Sequence, residues 1–519
     1  MAATKICAVT QPQQTEPSGR ASMSRMIKQV RVFRIEMTPK NRGLLLAVAP
    51  LVLMLGAPAL GADMAVKAPP YRAPLPYTWT GWYVGANAGY GIGLSQGNFA
   101  FNGGAFPGGA GVETFNAMPA GGFGGGQFGY NYQINSIVLG VETDIQGAGI
   151  SDTRTCLLSC IVGTSALIDQ KLNWFGTTRA RLGLATGPVL TYVTGGAAYG
   201  GTETGVTTTF GGVTTSSITS AAKSGWTWGT GVEAALGGNW TAKAEYLYVN
   251  LGSSSATNII AVPAGIAPVP PFVGTFSVKN QEQIFRGGVN YHFGADQSAA
   301  VGPIYNWTGL FVGGTFGYGI GRNDSTFVVP ATNAEALFLS PRGFDGGGIV
   351  GYNWQFGSWV VGLDADVQAS TGSGYLTCVA VCNGAGATTI DQRLSWFGTA
   401  RGRLGYAVGP ALFYATGGAA FGEVKESFAQ MAAGTIVSPS FSHSKSGFAV
   451  GGGIENKLDI FGLLGPNWTT RTEYLYVDLG SVRDTVVNPA VAGGTAQLLT
   501  SNLHEHVWRT VVSYKFGAP

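Results

Sequence analysis

Several places in this 519-residue sequence carry residue types at spacings that chemistry can use. "GLSQG" at 93–97 matches the Gly-x-Ser-x-Gly elbow that exposes a nucleophilic serine in hydrolases. "GGGQFG" (124–129) and "GGGIVG" (346–351) match the glycine spacing of a turn that cradles a dinucleotide phosphate. His504 and His506 bracket a glutamate in "HEH", a donor set that suits a metal. Cys156/Cys160 and Cys378/Cys382 form two Cys-x-x-x-Cys pairs, and Glu142/Asp144 form a carboxylate pair of the kind that serves acid–base work. Two arginines, Arg179 and Arg181, interrupt the otherwise small or apolar run "LNWFGTTRARLG", and the same pattern returns with Arg401 and Arg403 in "LSWFGTARGRLG".

The elements around these residues decide which chemistry survives. A serine elbow needs a strand, a sharp turn and a helix, but a Gly/Phe-rich loop follows Gly97, and the corresponding later segment reads "GIGRND". The glycine runs open a strand pattern, so no helix N-terminus is available for a pyrophosphate. The "HEH" cluster has no counterpart in the first half, which makes it a loop or strand-end position with incidental metal affinity. No histidine lies near either cysteine pair, so in an exported protein disulfides Cys156–Cys160 and Cys378–Cys382, each stapling its own loop, are expected over zinc. No catalytic residue, cofactor or metal is therefore assigned.

Charged residues are only 11% of the chain, against about a quarter in soluble domains, and 82 residues are glycine. With 45% hydrophobic and 11% aromatic residues, the chain is not a disordered polymer either. A net charge of +3 gives no electrostatic reason to expect a nucleic-acid partner. Lys40 and Arg42 precede an apolar run from Leu44 to Leu60, followed by small residues, so 1–61 reads as an N-terminal extension plus signal peptide cleaved near Gly61 or Ala62. Met37 is the more natural start for such a signal. Residues 62–77 then form a Pro-rich periplasmic arm.

The rest is one module written twice. "WTGWYVGANAGYGIG" (79–93) returns as "WTGLFVGGTFGYGIG" (307–321), "GGGQFGYNYQ" as "GGGIVGYNWQ", and "AEYLYVNLG" (244–252) as "TEYLYVDLG" (472–480). The units are 78–294 and 305–519, joined by the linker 295–304. Within unit one, aromatic and β-branched residues alternate in period two near 80–92, 122–132, 136–148, 171–184, 188–200, 224–236, 239–251 and 283–293, which predicts eight strands. Tight turns ("QINS", "ATGP", "LGGN") alternate with long Gly/Ser/Thr-rich connections at about 93–121, 149–170, 201–223 and 252–282. The expected fold is all-β, an antiparallel up-and-down transmembrane β-barrel of an outer membrane, with termini and linker on the periplasmic side.

Strand parity then orients the side chains. Leu172, Trp174, Thr178, Ala180 and Leu182 share one face, and Phe175, Thr177, Arg179 and Arg181 the other. An arginine facing lipid at the bilayer midplane costs roughly 2–4 kcal/mol, so the arginine face must be the lumen. The same test turns Glu142, Asp144, Glu233, Lys243, Glu245 and Arg286 inward, and in the copy Asp364, Asp366, Glu455, Arg471, Glu473 and Arg509 beside Arg401 and Arg403. Lys171 and Arg393 fall at the rim. About four cations meet about four anions per unit. In two tandem eight-stranded barrels such a network fills a narrow lumen as a plug; in the alternative, one sixteen-stranded barrel, it lines an aqueous channel.

With "WTGWYVG" (79–85), "GYNYQ" (129–133), "VETDIQG" (141–147), "WFGTTRARLG" (174–183), "YVTGGAAYG" (192–200), "AEYLYVNLG" and the closing "YHF", the sequence resembles the opacity-porin type of Gram-negative outer-membrane barrels. It is most similar to the immunogenic surface-protein branch of rhizobia and their relatives, whose members usually carry one eight-stranded unit. The resemblance implies a non-enzymatic surface or structural protein of the cell outer membrane, inserted by the barrel-assembly machinery through its terminal strands and bedded in lipid and lipopolysaccharide. Two other readings are a general diffusion porin for small hydrophilic solutes and a ligand or haem receptor working through its extracellular loops.

Overall fold

The computed structural model describes residues 77–102, 111–156, 164–210, 212–260, 272–294, 305–329, 333–378, 388–432, 435–458, 464–488 and 495–517. The expected signal peptide, nearly all of the 62–77 arm, the linker and the side chains of both cysteine pairs lie outside the described residues. Unit one contributes β1 (Gly81–Gly93), β2 (Ser95–Asn102), β3 (Gly111–Ala117), β4 (Ala120–Ile134), β5 (Ile137–Cys156), β6 (Thr164–Thr186), β7 (Val189–Phe210), β8 (Val213–Gly237), β9 (Trp240–Ile260) and β10 (Phe272–His292). Unit two contributes β11 (Gly309–Gly321), β12 (Asn323–Val329), β13 (Asn333–Leu339), β14 (Arg342–Phe356), β15 (Trp359–Ser370), β16 (Ser373–Cys378), β17 (Thr388–Val408), β18 (Ala411–Ala432), β19 (Thr435–Val437), β20 (Ser440–Lys457), β21 (Trp468–Asn488) and β22 (Thr495–Lys515).

Each unit closes on itself. The order β1-β4-β5-β6-β7-β8-β9-β10 returns to its start through an antiparallel β1–β10 ladder running from Tyr83↔His292 to Gly93↔Glu282. In unit two, β11-β14-β15-β17-β18-β20-β21-β22 closes the same way, from Phe311↔Lys515 to Gly321↔Glu505. These are two eight-stranded rings, and the sixteen-stranded alternative is set aside because every terminal strand finds its edge partner within its own unit. Closure leaves no strand edge in lipid, where an unpaired backbone amide is expensive.

The periplasmic turns are short because their residues permit it. Asn135 (φ 54°) and Gly187 (φ 61°) adopt the left-handed backbone of a two-residue hairpin, which asparagine and glycine tolerate best. On the other side the strands run well past their expected ends. β6 begins at Thr164 rather than near 171, and β8 begins at Val213 rather than near 224. The connections expected as long loops are largely strand. Thr, Val and Ser alternate along them, as in "GVTTTF" paired with "VTTSSI", and two polar-faced arms already held side by side continue their ladder above the membrane. Likewise the first connection folds into the β2–β3 hairpin, and β2 takes over the edge of β10 where β1 ends; β12 and β13 repeat this on β22.

Parity sorts the walls. Exposure alternates along β15, with Trp359, Val361 and Leu363 outward and Val360 and Asp364 inward. One outward assignment changes: a register shift between Leu172 and Trp174, a bulge at Asn173, puts Leu172, expected on the lipid face, in the lumen while Trp174 stays outside. The same shift recurs between Leu394 and Trp396.

Candidate functional site in the barrel lumens

The lumen is filled in layers. At the periplasmic mouth of unit one, Trp79 folds beneath the barrel, donating its indole N–H to the Gly187 carbonyl at 3.1 Å and packing with Val138, Ala185, Leu190 and Tyr192. Trp307 takes that place in unit two, against Val360, Ala407, Leu412 and Tyr414. Above the charged layer come inward apolar side chains, Phe123, Ile150, Leu172, Phe175 and Leu247 among them in unit one, and Leu394, Phe397, Val424 and Leu475 in unit two. Tight interdigitation of this kind is what the interior of an eight-stranded barrel accommodates.

Between these layers lie the charges. Arg179 on β6 reaches Glu142 at 2.5 Å and Asp144 at 3.0 Å on neighbouring β5, and Glu245 at 2.9 Å on β9. Its Nε donates to the Thr177 hydroxyl, which itself donates to Asp144. Lys243 on β9 pairs with Glu142 at 2.8 Å, joining strands on opposite sides of the ring. Arg286 on β10 donates from Nε to Glu245 at 2.6 Å and pairs with Asp144 at 2.9 Å. Arg181 pairs with Glu233 on β8 at 2.7 Å, donates to the Tyr83 hydroxyl at 2.9 Å, and lies 4.2 Å from the centre of the Tyr192 ring. Glu233 also accepts from Asn290 and lies 3.3 Å from His292. All eight charged side chains are buried. Removing this much charge from water is tolerable only because each ion is paired and hydrogen-bonded.

Unit two repeats the wiring with altered parts. Arg401 pairs with Asp364 at 3.0 Å, Asp366 at 3.1 Å and Glu473 at 3.0 Å; Arg509 pairs with Asp366 at 2.9 Å and donates to Glu473 at 2.7 Å; Arg403 pairs with Glu455 at 2.8 Å. Where unit one has Glu142, Lys243 and Tyr83, unit two has Asp364, Arg471 and Phe311. The carboxylate is shorter and the cation longer, so the pair still meets, at 3.5 Å, with the Arg471 guanidinium over the Phe311 ring. The rim cations Lys171 and Arg393 are exposed and pair locally, with Glu203 and Asp391.

The expected inward set omits several buried carboxylates, Glu426 and Asp484 farther out among them. Glu282, Asp345 and Glu505 are buried above the network, and among the described residues none has a cation within 4.0 Å. Parity from the neighbouring Arg286 and Arg509 assigns Glu282 and Glu505 to the lumen; Asp345 stands where unit one has Phe123. Of the histidine cluster, His504 and His506 lie on the outer face of β22, contacting Tyr476 and Tyr474.

A closed antiparallel ring with an apolar exterior, aromatic residues at its ends and, between its rims, charges turned to the interior defines a transmembrane barrel of the outer membrane. The chain belongs to the family described as outer membrane protein beta-barrel domain, whose model matches it twice, over residues 51–293 and 272–516. It is 37% identical over 220 residues to the 31 kDa outer-membrane immunogenic protein of Brucella melitensis, covering 41% of this chain and 89% of that one. It is 32% identical over 190 residues to the 22 kDa outer membrane protein of Rhizobium leguminosarum bv. viciae, covering 36% and 70%. Among solved structures it is similar to Ail, the attachment invasion locus protein of Yersinia pestis, at 17% identity and a TM-score of 0.17, covering 39% and 99%. The chain is thus a duplicated outer-membrane surface barrel.

Proposed function

We propose that this protein is a structural and surface-presenting element of the outer membrane whose two lumens do not conduct solutes. The observation that carries the reading is the bridging of opposite walls by single side chains, Arg179 from β6 to β9 and Lys243 from β9 to β5, with Arg401 repeating the first in unit two. A water-filled pore needs wall charges that leave its axis free, whereas these charges meet across it. The strand extensions above the membrane give the protein a folded outer surface, consistent with relatives named as immunogenic. On this reading it contributes to envelope integrity and to contacts made at the cell surface, and performs no chemical reaction.

Purified full-length protein in planar bilayers tests this. Negligible steady conductance is expected. Stable channels of large conductance overturn the reading in favour of a general diffusion porin.

A further inference from the structure

The lipid belt of each barrel is interrupted on one face, and the interruptions match. Elsewhere outward apolar side chains are open to the bilayer, as Leu182 (52% exposed), Val193 (57%) and Leu363 (58%) are. On β1, β9 and β10 the outward Ile92, Tyr246 and Phe285 are buried, and on β11, β21 and β22 so are Ile320 and Trp508, with Tyr474 packed beside them. The repeat alignment pairs Ile92 with Ile320, Tyr246 with Tyr474, and Phe285 with Trp508.

These residues cover each other reciprocally. Tyr246 of unit one stacks on Trp508 of unit two, ring centres 6.2 Å apart, and Phe285 of unit one meets Tyr474 of unit two at 5.0 Å. Each contact is the other with the repeats exchanged. Nearer the periplasm the pattern continues: outward Val189 and Val232 pack with Ala411 and Ile454, which are their own counterparts. A patch whose residue i meets j while j meets i is the mark of an isologous, two-fold interface.

Polar residues make the same point independently. Gln283 and His506 are counterparts, both on outward positions where a lone barrel would present them to the lipid boundary. Both are buried here, Gln283 accepting from the Tyr246 hydroxyl and His506 contacting the Tyr474 hydroxyl at 2.7 Å. Lipid supplies no hydrophobic drive for association, so helices or barrels in a bilayer are held by close packing and shielded hydrogen bonds. This seam provides both, with Arg322 of unit two also donating to the Met118 carbonyl of unit one at 3.4 Å.

We infer that each repeat carries a self-complementary docking face, and that the chain is a barrel dimer held by this seam rather than by its tether. The partner that fits the face is a second copy of the same module. The linker supplies a high local concentration and correct pairing, and the seam supplies the binding.

The test uses the full chain, with a protease site inserted in the linker at 295–304 and an affinity tag on one end. After insertion into mild detergent or liposomes and cleavage, the untagged half is expected to be retained with the tagged half. Phe285→Ala with Trp508→Ala, which removes the two reciprocal ring contacts, is expected to release it, while Val193→Ala with Val450→Ala on the open lipid face is not. Strand content by circular dichroism on every sample shows that both halves remain folded. Release of folded wild-type halves overturns the inference, as does full retention by the Phe285→Ala/Trp508→Ala variant. A second readout is cross-linking of Tyr246→Cys/Trp508→Cys and of Phe285→Cys/Tyr474→Cys in the uncut chain with a short bifunctional thiol reagent: both pairs are expected to react, and failure of both overturns the inference.

Discussion

Arg179 on β6 and Glu245 on β9 meet at 2.9 Å although two strands separate them around the ring, and Arg401 and Glu473 repeat the contact at 3.0 Å. An ion pair between non-adjacent strands spans the lumen instead of running along the wall. Truncating Arg179→Ala leaves Glu142, Asp144 and Glu245 crowded in a dry interior with one cation fewer. Breaking a buried pair in this way costs about 3–5 kcal/mol, much of it the penalty of the abandoned charges. A shift of that size in the urea unfolding of the first barrel is the expected outcome, and Arg401→Ala should do the same to the second.

The outer wall gives the complementary experiment. Leu182 is one residue from Arg181 in sequence but faces lipid, 52% exposed. Leu182→Arg should therefore destabilise the barrel by roughly 2–4 kcal/mol if it lies near the midplane, and less toward either interface. Equilibrium folding into liposomes measures it. A negligible effect contradicts the assignment of the two faces.

One of the unpaired carboxylates above the second network predicts a gain. Asp345 is buried with no cation within ion-pairing distance among the described residues, whereas Phe123 at the equivalent position packs edge-on against Phe175 at 5.2 Å. Asp345→Asn, which keeps the size but removes the uncompensated charge, should stabilise unit two at neutral pH by about 1–3 kcal/mol, because burying an unpaired carboxylate costs more than burying a neutral amide. The reverse change, Phe123→Asp, should destabilise unit one by at least as much. The urea midpoints of the two variants check both signs.

Those residues show what the sequence makes legible. The repeat follows from self-similarity, and eight strands per unit and the inward charges follow from period two, because a charge in lipid is costly enough to fix the parity of a whole strand; closure into two rings of eight rather than one of sixteen is decided by the β1–β10 and β11–β22 ladders. Leu172 escapes that logic: the bulge at Asn173 inserts one residue, and nothing in "KLNWF" announces it before the register with β7 is known. The strand extensions were hidden because Thr- and Ser-rich segments read as loop, and only the pairing of their two arms makes them strand. Asp345 was hidden for a different reason, since a lone carboxylate in a glycine run gives no sign of which cations are already committed to others. The seam between barrels is the sharpest case: Tyr246 and Phe285 satisfy the lipid-facing rule, and only their burial reveals the protein against them.

The last prediction concerns pH and the outer surface. Glu426 lies on β18 five residues beyond the outward aromatic Phe421, above the lipid belt, with its side chain buried and its Oε1 accepting from Gln392 at 2.6 Å. Burial first, and then a hydrogen bond shared with the carboxylate of Asp484, push its pKa up to about 8. His443 on β20 contacts Asp484 at 2.8 Å and completes the group. Because the folded protein holds a proton that the unfolded chain releases near pH 4.5, the folded state binds more protons throughout the interval between these values. Stability must then fall as pH rises from about 4.5 to about 8 and level off above it, full strength being present below the lower value. Limited proteolysis of the outer part of unit two from pH 5 to pH 9 should show increasing cleavage over that window. Glu426→Gln, which keeps the hydrogen-bonding shape without the titrating proton, should flatten the profile, and a profile unchanged by this substitution would assign the pH response to other groups.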